Sequence, residues 1–204
     1  MDLATLKYRL SVWLGRETAR QLRRLHDGTD EERLDAARAL RGLPLRGRAV
    51  ARLIQALDDP NPFVRWEVAE TLARVGGKAA RAALVERARQ EEPAAGTAAA
   101  LRALGLMRDP LFVDTIASQA EHQSAEVRVA VAEALAALTA EARAREVLLD
   151  LLADDDPVVR RAAAWAIRRA DDPWAREVLA ARAAQEPEPW LKVVLTRALE
   201  QATP

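Results

Sequence analysis

Side chains that could carry chemistry are few in this sequence. Its 204 residues include no cysteine and only two histidines. That excludes a cysteine nucleophile, a thiolate zinc site and a three-histidine metal site. Each histidine has a carboxylate neighbour, in His26-Asp27 and Glu121-His122. No glycine-rich phosphate loop and no Gly-x-Ser-x-Gly turn occurs. The densest acidic group is Asp154-Asp155-Asp156, three carboxylates that could hold a cation. It sits, however, where acids recur at helix starts, and there a carboxylate accepts orphan backbone N–H groups and complements the helix dipole. The run is therefore read as capping, and neither a metal nor a cofactor is expected. His26, with Asp27 and Gly28, is read as ending the first helix, and His122 as ending a later one.

The elements that position these residues are helices. Alanine supplies 45 residues, glycine 8, and aromatic residues 4%, a composition that favours helix over strand. The apolar half of the chain is dispersed, so no stretch approaches the roughly 18 apolar residues of a membrane span. The segment MDLATLKYRLSVWLGRE also lacks the apolar core of a signal peptide. A soluble, cytoplasmic protein is expected. With 31 basic and 31 acidic side chains the net charge is zero, which argues against nucleic-acid binding by bulk electrostatics. The neutrality is a cancellation, because residues 1–52 hold 12 basic and 7 acidic side chains and residues 53–204 hold 19 and 24. That asymmetry suits an oriented partner or head-to-tail contacts.

A period organises the chain. A basic position recurs at Arg33, Arg65, Arg128, Arg160 and Lys192, with Thr97 in the gap, at spacings of 32, 32, 31, 32 and 32. An apolar column keeps step as Leu40, Leu72, Leu104, Leu135, Ile167 and Leu199. Each unit reads as two helices, the first opening after an acidic or proline-bearing turn such as Asp59-Pro60-Asn61-Pro62. Single units cannot bury their apolar faces alone and must stack. The expected fold is all-α, a right-handed α-solenoid of about six helical-hairpin repeats behind an N-terminal amphipathic capping helix at 1–28. The repeats lie near 29–58, 59–91, 92–122, 123–153, 154–185 and 186–204, the last a half repeat.

The acid-proline turn, Val-Arg pair, alanines, leucine and second helix resemble HEAT-like repeats of the phycobilisome-lyase type, over about residues 30–202. That resemblance implies a structural ladder tying unit to unit. Arg65 would pair with Asp58 or Asp59, and Arg160 with Asp154 or Asp155, while Arg128 and Lys192 fill the same column. Repeat three departs, with Gly96 and Thr97 in place of Val and Arg, and its first helix is expected to be weaker or offset. Some HEAT-like relatives are di-iron hydroxylases built on His-Glu pairs. This chain has no His-Glu dipeptide, so that chemistry is excluded.

Structural residues obey their columns, so functional ones should break them. One column reads Arg38, Glu70, Arg102, Glu133, Trp165 and Arg197, and Trp165 is the exception in a charged, solvent-facing row. Trp66 shares its column with Leu34, Ala98, Val129 and Val193 and is read as core. Trp190 matches Phe63 and is read as packed at its turn, whereas Trp174 opens a second helix as a further contact candidate. In repeat four, Leu149 and Leu152 fall where other repeats place charged or polar residues, and the matching positions of repeat five are Ala181 and Ala184. Together these residues predict an apolar, partner-binding groove on the concave, second-helix face. The expected function is a non-catalytic protein-interaction scaffold. The resemblance implies an alternative, an accessory subunit for chromophore attachment to phycobiliproteins. A HEAT-like DNA-binding or repair module is disfavoured by the acids on the second helices, Glu86, Asp114, Glu121, Glu146, Asp150 and Glu177. The basic first helix is a candidate for weak contact with an anionic surface, and the half repeat a candidate for self-association.

Overall fold

A computed structural model describes the backbone of residues 3–170 and 172–200 and, within it, the side chains of residues 7, 9–170 and 172–197. The described residues form twelve α-helices and no strand. Helix α1 spans Leu3–Asp27, α2 Asp30–Leu40, α3 Arg48–Gln55, α4 Pro62–Val75, α5 Gly77–Ala88 and α6 Ala94–Leu106. Then come α7 Val113–Ala117, α8 Ala125–Leu135, α9 Ala142–Leu152, α10 Pro157–Arg168, α11 Pro173–Gln185 and α12 Pro189–Glu200.

Short polar residues start several of these helices. Asn61 accepts the Phe63 N–H at 2.9 Å, Asp156 the Val158 N–H at 2.7 Å and Asp172 the Ala175 N–H at 2.9 Å, each with proline in the first turn. Such a cap contributes about 1 kcal/mol. Thr29 and Glu32 close a capping box at the start of α2. Gly76, at φ +55°, ends α4 in a conformation that a side chain would strain.

Two compact units form, residues 1–87 and 88–204. In the first, α2 packs between α1 and α4, and α3 packs on α4. Helix α1 engages through buried Gln21 and Leu25, while Leu10 and Trp13 stay exposed. Leu3 and Leu6 of its apolar stripe lie outside the described side chains. In the second unit the first helices of successive repeats, α6, α8, α10 and α12, stack in order. The second helices α7, α9 and α11 form a layer behind them. The apolar column is the spine of this packing, with Leu40, Leu72, Leu104, Leu135 and Ile167 fully buried. Each contributes about 1.5–3 kcal/mol. Leu199 lies outside the described side chains.

The expectation for repeat three is overturned. Nine of the thirteen residues of α6 are buried, among them Gly96, Thr97 and Gly105. Small residues let α6 and α8 approach closely. A Cβ on Gly105 would stand 2.5 Å from Ala134 Cα and 2.8 Å from its carbonyl oxygen. Gly105→Ala therefore forces the two backbones apart and should lower stability by about 1–3 kcal/mol, read as a drop in the urea midpoint of the full chain. Gly15→Ala, in the exposed part of α1 with nothing within 4 Å, should leave the midpoint unchanged or raise it.

Candidate interaction surface

The arginine column builds joints between repeats. Nη1 of each arginine turns back onto carbonyl oxygens of its own helix-start turn. Arg33 donates to Gly28 at 3.1 Å, Arg65 to Asp59 at 2.8 Å, Arg128 to His122 at 2.8 Å and Arg160 to Asp154 at 2.9 Å. The Nε and Nη2 edge of Arg33, Arg128 and Arg160 reaches ahead 26 residues to grip a carboxylate with two hydrogen bonds. Arg33 grips Asp59 at 2.7 and 3.1 Å, Arg128 grips Asp154 at 2.7 and 3.0 Å, and Arg160 grips Glu186 at 3.0 and 2.7 Å. Each acid also accepts the backbone N–H two residues on, at Asn61, Asp156 and Glu188. Planar, two-pronged recognition of this kind needs arginine.

This corrects the expected pairings. Arg65 meets backbone carbonyls of Asp59 and Pro60, while the Asp59 carboxylate takes Arg33 and Asp58 takes Arg87 at 2.5 Å. Arg160 meets the carbonyls of Asp154 and Asp155, and its carboxylate partner is Glu186. Asp155 is exposed, and Asp154 serves Arg128 instead. Lys192 is exposed and makes no ion pair among the described residues. The acidic run divides its labour, Asp154 for the joint and Asp156 for the helix cap, and among the described residues no group of three or more His, Asp or Glu converges to hold a metal.

Glu186 is the most committed of these acids, fully buried between Arg160 and Arg182. Burial pushes its carboxyl up, but hydrogen bonds from Arg160, the Glu188 N–H and Arg182 outweigh burial and hold it at about 2. Asp154 is likewise raised by burial and lowered further by Arg128 and the Asp156 N–H, for a net lowering.

At the close-packed third joint both partners change. The Thr97 hydroxyl donates to the Gln90 carbonyl at 2.6 Å, and His122 occupies the acid's place. Its Nδ1 accepts the Ser124 N–H at 3.0 Å, which leaves the ring proton on Nε2, 3.2 Å from the Glu91 carbonyl oxygen. His122 thus lies in the turn before α8, after α7 has ended at Ala117. His26 sits in the last turn of α1, its Nδ1 2.6 Å from Asp27.

The candidate contact residues separate onto different layers. Leu149 is 40% exposed on α9, and Ala181 and Ala184 are exposed on α11. Leu152 is 5% exposed, against expectation, because it lies one turn beyond Leu148 and continues the buried arc with Val147 and Leu151. Helices α9 and α11 meet where Arg145 covers Trp174 and reaches Asp172. Trp174 is half-buried, with the Arg145 guanidinium 4.5 Å from its ring centroid. Arg145 also donates to the Thr139 carbonyl and to Asp172 at 2.6 Å, repeating the back-and-forward fork within the second layer. Trp165 is 46% exposed on α10, a first helix, with Arg168 5.0 Å from its ring. Trp66 is also 46% exposed, so its reading as core is wrong. Phe63 and Trp190 are exposed rather than packed at their turns, and Arg161 stands 5.8 Å from the Trp190 ring. The signal for Trp66 was present in its own column, which holds charged Arg161 in repeat five. An open groove of about 660 Å³ lies between α7 and α9, bordered by Glu121, Asp150 and Asp155.

The repeat geometry has a family counterpart. A family model for HEAT repeats matches residues 19–105, 82–168 and 113–200. The chain belongs to the HEAT-repeat family. Among solved structures it is similar to the complex of CpcE and CpcF of phycocyanin lyase from Nostoc sp., at 21% identity and a TM-score of 0.65 over 74% of this chain and 98% of that one. It is also similar to YibA of E. coli, at 22% identity and a TM-score of 0.61 over 93% of this chain and 73% of that one. A designed armadillo repeat protein in complex with the peptide (KR)4 matches at 17% identity and a TM-score of 0.52, over 90% and 98%. No curated protein matches the chain in sequence. No described helix is long and apolar enough to cross a membrane.

In this HEAT-repeat chain the joint at Glu186 makes stability depend on acid. A carboxyl held below its ordinary 4.5 stabilises the fold fully above that value. The contribution is lost as pH falls from 4.5 through about 2. The urea midpoint of the wild type should fall across that window, and Glu186→Gln should remove part of the slope. At neutral pH the same substitution strands Arg160 and should cost about 3–5 kcal/mol.

Proposed function

We propose that the chain is a non-catalytic scaffold that holds another protein through apolar side chains standing on an otherwise charged surface. One observation carries this reading. The recurrent arginines and acids are engaged in joints and caps, whereas Leu149 and Trp165 stand exposed in rows that other repeats fill with charged or polar residues. Leu149 on α9 and Ala181 and Ala184 on α11 offer apolar contacts on the second layer, flanked by carboxylates of the α7–α9 groove. Preformed helical surfaces bind with little ordering cost, so a few such anchors suffice. Trp174, half-covered by Arg145, would contribute only a ring edge.

A second reading rests on the likeness to the phycocyanin lyase complex, in which two proteins assemble. By that analogy the chain is an accessory subunit of a chromophore-attachment system, and it too works by binding a protein. Weaker contacts are supported at the two ends. Exposed Leu10 and Trp13 lie among Arg16, Arg20 and Arg23 on α1, a composition suited to an anionic surface, and exposed Val193 on α12 suits self-association.

Affinity capture with the wild type and with Leu149→Asp tests the second-layer site. A partner recovered by the wild type and reduced about tenfold or more by the variant supports it; equal recovery sinks it. Adding the chain to a phycobiliprotein and its free bilin separates the two readings. Faster chromophore attachment favours the accessory subunit, and an unchanged rate favours the scaffold alone.

A further inference from the structure

A charge rule runs along the outward face of the first helices and then stops. Where that face is described in pairs, a cation on one helix meets an acid on the next. Arg38 meets Glu67 at 3.3 Å, Arg41 meets Glu67 and, at 2.5 Å, Glu70, and Arg102 meets Glu133 at 2.6 Å. Between α10 and α12 the rule fails. The matching positions are Trp165 and Arg197, and neither α10 nor residues 189–197 of α12 contain an acid.

What remains is an apolar and cationic face. Val158 and Trp165 on α10 and Trp190 and Val193 on α12 are each between 42% and 51% exposed. They are interleaved with Arg161, Arg168 and Arg197, which form no ion pair among the described residues. Positions 158, 161, 165 and 168 follow helical spacing and so share one stripe, as do 190, 193 and 197. The helices pack side by side, so the two stripes are contiguous. Arg168 and Arg161 stack on Trp165 and Trp190. Stacking restrains the guanidinium groups while leaving their N–H edges free to donate. On α8, which packs on α10, exposed Glu126 and Glu133 hold the repeat positions of Val158 and Trp165.

We propose that this α10–α12 face docks an acidic amphipathic segment of a partner protein. Its apolar side chains lie against Trp165, Trp190 and the two valines, and its carboxylates reach Arg161, Arg168 and Arg197. Charge complementarity selects the occupant. Among the described residues these three guanidinium groups have no carboxylate partner, and like charges so placed repel until carboxylates arrive. A continuous polyanion is disfavoured, because residues 88–204 carry 14 basic and 19 acidic side chains. A cationic island on an acidic unit fits a short segment better than a nucleic-acid backbone. This face lies on the first-helix layer, so it is additional to the second-layer site and rests on the scaffold reading only in that its partner is a protein.

The test uses the full chain and a synthetic amphipathic helix carrying leucines on one face and glutamates on the other, followed by anisotropy of a label on the peptide. Binding is expected to weaken with added salt, and a lysine-for-glutamate version of the peptide is expected not to bind. The pair Trp165→Ala and Trp190→Ala, and separately the pair Arg161→Glu and Arg168→Glu, should each weaken binding about tenfold or more. These side chains are exposed, so an unchanged melting temperature confirms that both variants remain folded. Leu149→Asp should bind the peptide as the wild type does. That separates failure of the second-layer site from failure of this one. The proposal is overturned if the acidic peptide does not bind, if both pairs of substitutions leave binding intact, or if duplex DNA or anionic vesicles bind the same residues more tightly than the peptide.

Discussion

The structure depends on one interaction, a guanidinium used in two directions. Each arginine of the column spends Nη1 on the turn that starts its own helix, and Arg33, Arg128 and Arg160 spend the opposite edge on a carboxylate 26 residues ahead. A planar fork cannot bend, so it sets both the distance and the tilt between one turn and the next repeat. The acid is equally constrained, because it also caps an N–H two residues on. Burying such a charge is costly unless nearly all its hydrogen bonds are made. Here they are shared between the opposing side chain and backbone groups whose position the helix start already fixes, and the steps of 26 residues to the acid and 6 to the next arginine close the period of 32.

The period, the two-helix unit and the buried leucine column were legible, because each follows from spacing alone. The direction of the ladder was not. Asp154 and Asp155 stand next to Arg160 in sequence, and proximity suggested a pair. The Asp154 carboxylate in fact points back to Arg128 of the preceding repeat, Asp156 caps its own helix, and the carbonyls of Asp154 and Asp155 face Arg160. A sequence shows which side chains recur together. It does not show which edge of a turn faces which neighbour.

Individual side chains were misread for a related reason. The column of Trp66 is apolar, yet its burial varies from repeat to repeat, with Ala98 buried, Leu34 and Val129 half-buried and Val193 exposed. Apolar content in a column measures tolerance as much as burial. Leu152 was misread in the opposite sense. Its column looked polar elsewhere, but in α9 it continues the arc of Leu148, and helix geometry overrides column composition. Leu149, 100° away around the same helix, is the residue left outside.

Departures from the repeat therefore divide by whether they are answered. Thr97 and His122 break the arginine and acid columns together, and each finds a backbone partner in the turns of its own joint. The Thr97 hydroxyl donates to the Gln90 carbonyl, and the His122 ring accepts the Ser124 N–H. That departure is compensated inside the fold, and it belongs to stability. Trp165 also breaks its column, but no residue of the described structure changes to answer it. It is neither buried nor matched to an acid, and it leaves Arg197 facing solvent without a counterion among the described residues. Exposed apolar surface and unbalanced charge are both unfavourable for an isolated fold. Their coincidence on α10 and α12 is accounted for when the compensating groups belong to a different molecule.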